Sequence, residues 1–201
     1  IQGSNDLTFN LPVYAVDSDG DDSLMSPLAV TITDDIQVMV DGALSIEEPT
    51  VADLAAGTPT TTTVNVLDQE GADGTTITQI NYDGTVFTLD QSNTGEQKFV
   101  VAEGSLYITL QGDVRFEPNR DLNHSGGDIV KSIVVSSSDS DSDVVTSTVT
   151  LTITDGDLPI INVIPGVSLS EVDLADGSAP TGNPVSMTQV ITYTEGSDDV
   201  S

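Results

Sequence analysis

The residues of this chain that could do chemistry are its carboxylates. Aspartates and glutamates number 33, against 4 lysines and arginines and 1 histidine, and the formal net charge is −29 at pH 7. So many like charges repel one another in a compact chain unless cations offset part of the repulsion. Calcium suits this role because it takes about six to eight oxygen ligands from carboxylates, carbonyls and water. The composition therefore predicts a bound cation, and the available ligands favour Ca2+.

The carboxylates cluster at two places in the sequence, each of which combines a strand end with a following acidic segment. The eight predicted ligands are Asp34, Asp35, Glu47 and Glu48 at the first place and Asp155, Asp157, Glu171 and Asp173 at the second. Loops at strand ends can meet at a junction between domains, where one ion could take ligands from both sides. Aspartate also favours turns by itself, so the alternative is that these are solvated turn residues.

The two places are related by an internal repeat. The segment TITD occurs at residues 31–34 and recurs 121 residues later. An acidic run at 17–22 and a segment at 51–57 also recur at nearly the same separation, at 139–143 and 171–177. A unit of about 120 residues is long enough for an independent core. We therefore expect a fragment of a longer array, with part of one domain at 1–35, a complete domain at 36–155 and part of a third at 156–201.

The two acidic runs match the start of a calcium-binding EF-hand loop but not its remainder. Asp17, Asp19 and Asp21 have the spacing of the first three ligands, whereas Asp22 stands where a glycine is required and Leu28 where a bidentate glutamate is required. The second run fails in the same way. Two readings stay open: a calcium site of another geometry, or a solvated hairpin tip whose carboxylates protect a sheet edge from pairing.

The strand that ends in the second TITD alternates between two kinds of side chain. One face carries Val145, Ser147, Val149, Leu151 and Ile153, and threonines occupy the positions between them and after Ile153. A period of two is that of a half-buried β-strand. Other short β-rich segments are separated by turns, and the only helix expected is a single turn at 51–56. The predicted fold class is all-β, with antiparallel β-sandwich repeats in tandem.

The inventory of reactive side chains argues against an enzyme. The chain has no cysteine, and its one histidine, His124, has only Ser125 beside it and no oxyanion-hole signature. A carboxylate pair for sugar hydrolysis needs a cleft with aromatic platforms, and the chain has no tryptophan. We therefore expect no catalysis and read His124 as a loop residue.

The basic residues argue against anionic partners. Lys98, Arg115, Arg120 and Lys131 are scattered through an acidic chain. Nucleic acids and anionic membrane surfaces both require clustered positive charge. No apolar run approaches the length of a membrane span. We predict neither nucleic-acid binding nor membrane insertion.

Several of these motifs together resemble a known family. The acidic hairpins, the threonine-rich strand ending in TITD, the linker at 155–160 and the segment at 169–178 look like the tandem Ig-like or cadherin-like repeats of giant bacterial RTX adhesins exported by type I secretion. The hairpin at 104–116 is similar to one in those repeats, although the family more often has Asp-Gly where this chain has Gly112-Asp113. The resemblance covers nearly the whole chain through short motifs.

The resemblance implies a calcium-dependent extender at the bacterial cell surface. Such a segment is extracellular, holds an adhesive tip away from the cell in adhesion or biofilm formation, and has the neighbouring repeats of its own chain as partners. The alternative is a β-sandwich module that binds sugar or peptide through its loops, for instance around 119–128. Several exposed aromatic residues in one patch would favour that alternative.

Overall fold

The computed structural model describes residues 6–35, 37–59, 61–140, 142–166, 168, 170–174, 176–179 and 188–200. Strands dominate throughout, and this confirms the all-β prediction. No helix in the described parts of the chain is both long and apolar enough to cross a membrane. The domain boundaries at 35/36 and 155/156 remain predictions.

The chain begins with a hairpin of β1 (Leu7–Val13) and β2 (Ser26–Ile32), paired antiparallel from Leu7 opposite Ile32 to Val13 opposite Ser26. The acidic run at 17–22 forms the connection between them and is closed by a bridge between Val16 and Asp22. Most side chains of this hairpin are exposed, including large apolar ones such as Phe9 and Leu11. It matches the predicted pair of strands joined by an acidic turn.

The central part of the chain is a two-sheet sandwich. Its strands are β3 (Val38–Met39), β4 (Gly42–Glu47), β5 (Val64–Asn65), β6 (Leu67–Gln69), β7 (Thr76–Tyr82), β8 (Thr85–Thr88), β9 (Gln97–Val101), β10 (Gly104–Ile108), β11 (Asp113–Pro118), β12 (Ile129–Ser138) and β13 (Val144–Thr154). One sheet has the order β4-β13-β12-β7-β8 and the other β5-β11-β10-β9, while β3 and β6 pair with each other. All pairs are antiparallel except β4 with β13, which is parallel and departs from the purely antiparallel expectation.

The core lies between these two sheets. The predicted inward face of β13 is confirmed: Val149, Leu151 and Ile153 are fully buried, and Ser147 is buried beside them. They face a second row of fully buried residues from the other sheet, namely Leu106, Ile108, Val114 and Phe116. Each such side chain contributes about 1.5–3 kcal/mol when it leaves water. Packing of aliphatic side chains therefore holds the sandwich without disulfides.

The one α-helix among the described residues, α1 (Val51–Ala56), lies where the single helical turn was predicted. The Asp53 amide donates to the Thr50 hydroxyl at 3.1 Å, and the Thr50 amide donates to Asp53 Oδ2 at 2.9 Å. This reciprocal cap satisfies amides that a helix start otherwise leaves without partners. The hydrogen bond from the Thr50 side chain lowers the pKa of Asp53.

Beyond the sandwich the described structure is sparse. It contains β14 (Ile160–Ile161), a 3-10 helix (Glu171–Asp173) and β15 (Tyr193–Thr194), with β14 and β15 paired antiparallel. The β14–β15 pair repeats the arrangement of β3 with β6, since Val38 lies opposite Gln69 and Ile160 opposite Thr194. The chain after residue 155 thus has the same antiparallel pair of short strands as the chain after residue 37.

Candidate metal centre

The parallel pairing of β4 with β13 brings two of the predicted ligands to the same end of the sandwich. Ile46 lies opposite Ile153 and Glu47 opposite Thr154, and the Glu48 amide donates to the Thr154 carbonyl at 3.0 Å. Both strands therefore finish together, and Glu48 lies close to Asp155. The sequence predicts these two residues at different junctions, and the parallel register of β4 and β13 brings them close together.

Glu48 is a buried carboxylate with one oxygen that has no hydrogen-bond partner. Its side chain has no solvent exposure, and its Oε1 accepts a hydrogen bond of 2.6 Å from the Leu122 amide. The other oxygen, Oε2, has no hydrogen-bond partner. Burial raises the pKa of Glu48, the Leu122 hydrogen bond and the charge of His124 lower it, and the charges of Asp198 and Asp155 raise it, with a raised pKa as the result. A buried carboxylate in this state needs a cation or a proton to be stable.

His124 completes a cluster with these two carboxylates. Its side chain is only 4% exposed, and its Nε2 lies 3.3 Å from Glu48 Oε2. That distance is within ion-pair range, but the angles are not those of a hydrogen bond, and neither ring nitrogen has a hydrogen-bond partner. Ligand atoms of Glu48, His124 and Asp155 all lie within 4.8 Å of one another. The prediction of an ordinary loop histidine missed this role.

The loop at 119–128 carries His124 to the cluster. The loop is anchored at its start by the Asn119 amide, which donates to the Glu103 carbonyl at 2.8 Å. It is tightened around the histidine by the Gly127 amide, which donates to the His124 carbonyl at 2.8 Å. The Leu122 amide of the same loop donates to Glu48 Oε1, a residue 74 positions away, so spacing alone could not have placed His124 beside Glu48.

A turn at 195–199, beyond β15, closes over the same end of the sandwich. The Ser197 amide donates to the Asp157 carbonyl at 2.9 Å, and the Asp199 amide donates to Asp121 Oδ1 at 2.8 Å. Arg120 also pairs with Asp199 at 2.9 Å. These contacts place Asp198 near enough to Glu48 to raise its pKa. Carboxylates from both sides of the linker at 155–160 therefore face one another.

Two glycines allow this close approach. A side chain at Gly156 would collide with the Glu48 carbonyl and with Ser197, and one at Gly196 would overlap the Asp157 carbonyl. The backbones on the two sides of the linker are thus in direct contact.

The turn at 195–199 was absent from the predicted site, although the sequence held a signal for it. Residues 195–198 read EGSD and directly follow β15, which pairs with β14. Residues 70–73 read EGAD and directly follow β6, which pairs with β3. Asp73 lies at the other end of the sandwich, where it lines a shallow depression with Ser138 and Asp139. Both ends of the sandwich therefore combine an EGxD turn with other acidic residues.

The remaining predicted ligands are placed as follows. Asp157 lines a cleft with Glu47, Glu48 and Asp53 at the cluster end, the end of the sandwich that holds the cluster of Glu48, His124 and Asp155. The Asp34 amide donates to Asp6 Oδ1 at 3.1 Å, and Asp35 is exposed nearby in sequence. The 3-10 helix that contains Glu171 forms backbone hydrogen bonds within 171–179, and the side chain of Asp173 lies outside the described residues. Calcium ligation by all eight residues stays a prediction.

Asp34 and Asp35 lead into the opposite end of the sandwich from Glu48. Gln37, almost fully buried, donates through Nε2 to the Asp143 carbonyl at 2.7 Å and accepts from the Ser137 hydroxyl at 2.8 Å. Its neighbour Asp139 accepts the Asp143 amide at 2.8 Å. The chain that enters the sandwich is thereby tied to its second acidic hairpin.

In the first acidic hairpin, Asp17 has a structural role. Its Oδ1 accepts from the amides of Asp19, Gly20 and Asp21 at 3.3, 3.1 and 2.9 Å. Such bonds are typical of an aspartate that stabilises a turn. Asp17, Asp19 and Asp21 have oxygens within 4.8 Å of one another, but all three are exposed. The geometry suits the reading of a solvated hairpin tip.

Comparison with known proteins gives only distant likenesses. No family model matches the sequence, and no curated protein matches it. Solved structures similar to the chain include the extracellular domain of protocadherin gamma B4, with a TM-score of 0.37 and 18% identity over 80% of this chain and 24% of that one. Protocadherin gamma B7 domains 1–4 give a TM-score of 0.33 and 13% identity, over 98% of this chain and 51% of that one. Protocadherin gamma C5 domains 1–3 give a TM-score of 0.32 and 12% identity, over 81% of this chain and 51% of that one. The chain thus spans about a quarter to a half of these structures.

Proposed function

We propose that this chain is a calcium-stiffened extender segment of a large bacterial cell-surface adhesin. It would hold a ligand-binding tip away from the cell, with neighbouring repeats of the same chain as its partners. The observation that carries the proposal is the fully buried carboxylate of Glu48, whose Oε2 has no hydrogen-bond partner at the point where the turn at 195–199 meets the sandwich.

The residues at this end fit calcium. Glu48, Asp155 and Asp157 would supply carboxylate oxygens from the sandwich, and Asp198 would supply one from the far side of the linker. Calcium is a hard cation that accepts such mixed oxygen ligands in flexible geometry. When bound, it offsets the repulsion that Asp155 and Asp198 exert on Glu48 and that raises its pKa.

The bacterial RTX setting of the proposal rests on the sequence resemblance. The loop at 119–128 also supports the extender role. In the alternative, a β-sandwich binding module, this loop would bind a sugar or peptide. That loop donates the Leu122 amide to Glu48 and holds Asp199 through Asp121 and Arg120. Its polar groups are engaged at the junction, and this favours a structural role for it.

Thermal unfolding with calcium and with excess chelator tests the proposal. A ligand that binds only the folded state raises stability by mass action, by about 2.7 kcal/mol at a hundredfold excess over Kd. We expect the melting temperature to rise with calcium and to respond little to magnesium, which prefers a tight octahedron of mostly water. Asp155→Asn with Asp157→Asn should abolish the rise while leaving the sandwich folded.

Asp19→Asn with Asp21→Asn is the matched control, since it removes the same charge from an exposed hairpin. This control should keep the full calcium response. Equal melting curves in calcium and in chelator, with no metal detected in the purified protein, would overturn the proposal. Loss of the response in the control alone would move the site to the hairpin.

A further inference from the structure

The calcium proposal leaves His124 unexplained. Calcium binds oxygen ligands, whereas imidazole nitrogen is a ligand for zinc, copper, nickel and related ions. His124 is the only histidine of the chain, and there is no cysteine. It nevertheless lies in the interior of the acidic cluster, 4% exposed. We propose that Glu48, His124 and Asp155 form a binding site for a first-row transition ion such as Zn2+.

The donor set and its geometry suit such an ion. Zinc binds imidazole nitrogen and carboxylate oxygen, and a zinc site with three protein ligands keeps its fourth position for water or substrate. Ligands about 2.0–2.1 Å from a tetrahedral ion lie about 3.3 Å from each other. The separation between His124 Nε2 and Glu48 Oε2 is 3.3 Å. The third ligand, from Asp155, is within 4.8 Å of both.

The lack of hydrogen bonds at the cluster is the second, independent observation. Glu48 Oε2 and both ring nitrogens of His124 are buried and have no hydrogen-bond partner. A protonated imidazole has two N–H donors and would be expected to use them on adjacent carboxylates. Here His124 Nε2 and Glu48 Oε2 lie 3.3 Å apart without hydrogen-bond geometry, as two ligands of one ion do.

Glu48 is held in a suitable orientation by its second oxygen. The Leu122 amide donates to Oε1 at 2.6 Å, which leaves Oε2 directed toward His124. Outer hydrogen bonds of this kind orient metal ligands and tune their affinity. Asp155 is exposed and provides the side from which an ion can enter.

This site lies within the sandwich, so it does not depend on calcium or on a neighbouring unit. It shares Glu48 and Asp155 with the calcium proposal. A transition ion at this position would therefore compete with calcium for the junction.

Nuclear magnetic resonance of the single histidine ring tests the inference in the unmodified 201-residue chain, free of any histidine tag. In calcium-free buffer at pH 7, we expect one equivalent of Zn2+ to shift the ring nitrogen signals strongly, and Co2+ to give the visible absorption of a tetrahedral complex. Calcium alone should leave the ring signals nearly in place. Ring signals that stay unchanged with excess Zn2+ would overturn the inference.

His124→Gln provides the matched variant. It should weaken Co2+ binding by at least about tenfold, while the rise in melting temperature with calcium is retained. Retention of Co2+ affinity in this variant would contradict the site. Asp155→Asn with Asp157→Asn removes a carboxylate from both proposed sites, so the calcium response of His124→Gln is the readout that lets transition-ion binding fail while calcium binding holds. If His124→Gln does not fold, the ring signals of the unmodified chain decide the matter.

Discussion

At the scale of single residues, Glu48 determines how the cluster end behaves without metal. Burial raises its pKa above the usual value near 4.5, so the folded state binds a proton more tightly than the unfolded state does. In metal-free protein, stability that involves this group is therefore greatest at acid pH and falls as pH rises from about 4.5 through the higher folded pKa. The proposed calcium binding would have the opposite pH dependence, because it requires the ionised carboxylate.

Substitution of Glu48 by Gln tests this electrostatic account. In chelator at pH 7 the neutral amide removes a buried charge that Asp155 and Asp198 repel. We expect the variant to equal or exceed the parent in free energy of unfolding, by up to about 1–2 kcal/mol, since a buried carboxylate oxygen without a hydrogen bond costs about this much. In calcium the order should reverse.

Urea denaturation at several pH values between 4.5 and 7 measures the difference. The metal-free difference should shrink as the pH falls toward 4.5, because Glu48 of the parent takes up a proton as the pH falls. A variant that is several kcal/mol less stable than the parent in chelator at pH 7 would show that the carboxylate is stabilising without an ion, contrary to this account.

At the scale of elements, the N-terminal cap of α1 is a structural use of an acidic residue. Thr50→Ala removes the hydroxyl that accepts the Asp53 amide and should cost about 1 kcal/mol of stability. Ser170, which precedes the 3-10 helix, makes no side-chain cap hydrogen bond, so Ser170→Ala is the matched control and should change stability little.

Chemical denaturation of both variants with and without calcium separates capping from ligation. The Thr50→Ala loss should be the same in both conditions, because Thr50 supplies no proposed ligand. A loss that appears only in calcium would indicate instead that α1 belongs to the metal site.

The start of β10 makes a second prediction at this scale. A methyl group at Gly104 would overlap the Glu117 carbonyl and press on the Phe116 ring, both in the adjacent strand. Gly104→Ala should therefore destabilise by about 2 kcal/mol or more, because backbone cannot move aside cheaply. Gly126→Ala, in open space, should stay within about 0.5 kcal/mol of the parent. Equal stability of the two variants in urea would show that the sandwich is loosely packed at this hairpin.

The strands themselves could be read from the sequence because alternation is a local property. Val149, Leu151 and Ile153 were expected on the inner face and are fully buried there. The parallel pairing of β4 with β13 could not be read, since nothing local marks which neighbour an edge strand will choose. Its consequence, the contact of Glu48 with Asp155, was hidden for the same reason.

The cluster of Glu48, His124 and Asp155 illustrates both kinds of limit. His124 reaches Glu48 through a loop whose anchors lie far away in sequence, and no spacing rule describes that. The EGxD turns at 70–73 and 195–198 were readable as a repeated motif, and comparing the two units around the pairs β3–β6 and β14–β15 would have revealed them. Acidic spacing thus indicates which segments carry the carboxylates, while the neighbours of each carboxylate depend on topology.

At the scale of the whole molecule, the proposed role is mechanical. The linker at 155–160 is short and contains Gly156 and Pro159, and linkers between domains ordinarily allow relative motion when little apolar surface is buried between them. A shared ion would hold both sides of the linker to one centre. Its removal would leave Glu48, Asp155 and Asp198 to repel one another across the same gap.

Small-angle X-ray scattering on a protein of two or more complete repeats tests this central claim most directly. In calcium, the account predicts a longest dimension close to the summed lengths of the units and a profile typical of a rigid rod. In chelator, it predicts a shorter mean dimension and the broadened profile of a flexible chain. Asp155→Asn with Asp157→Asn should give the chelator profile even in calcium. If the profiles in calcium and in chelator superimpose, calcium is not the stiffener, and the extender mechanism proposed here is contradicted.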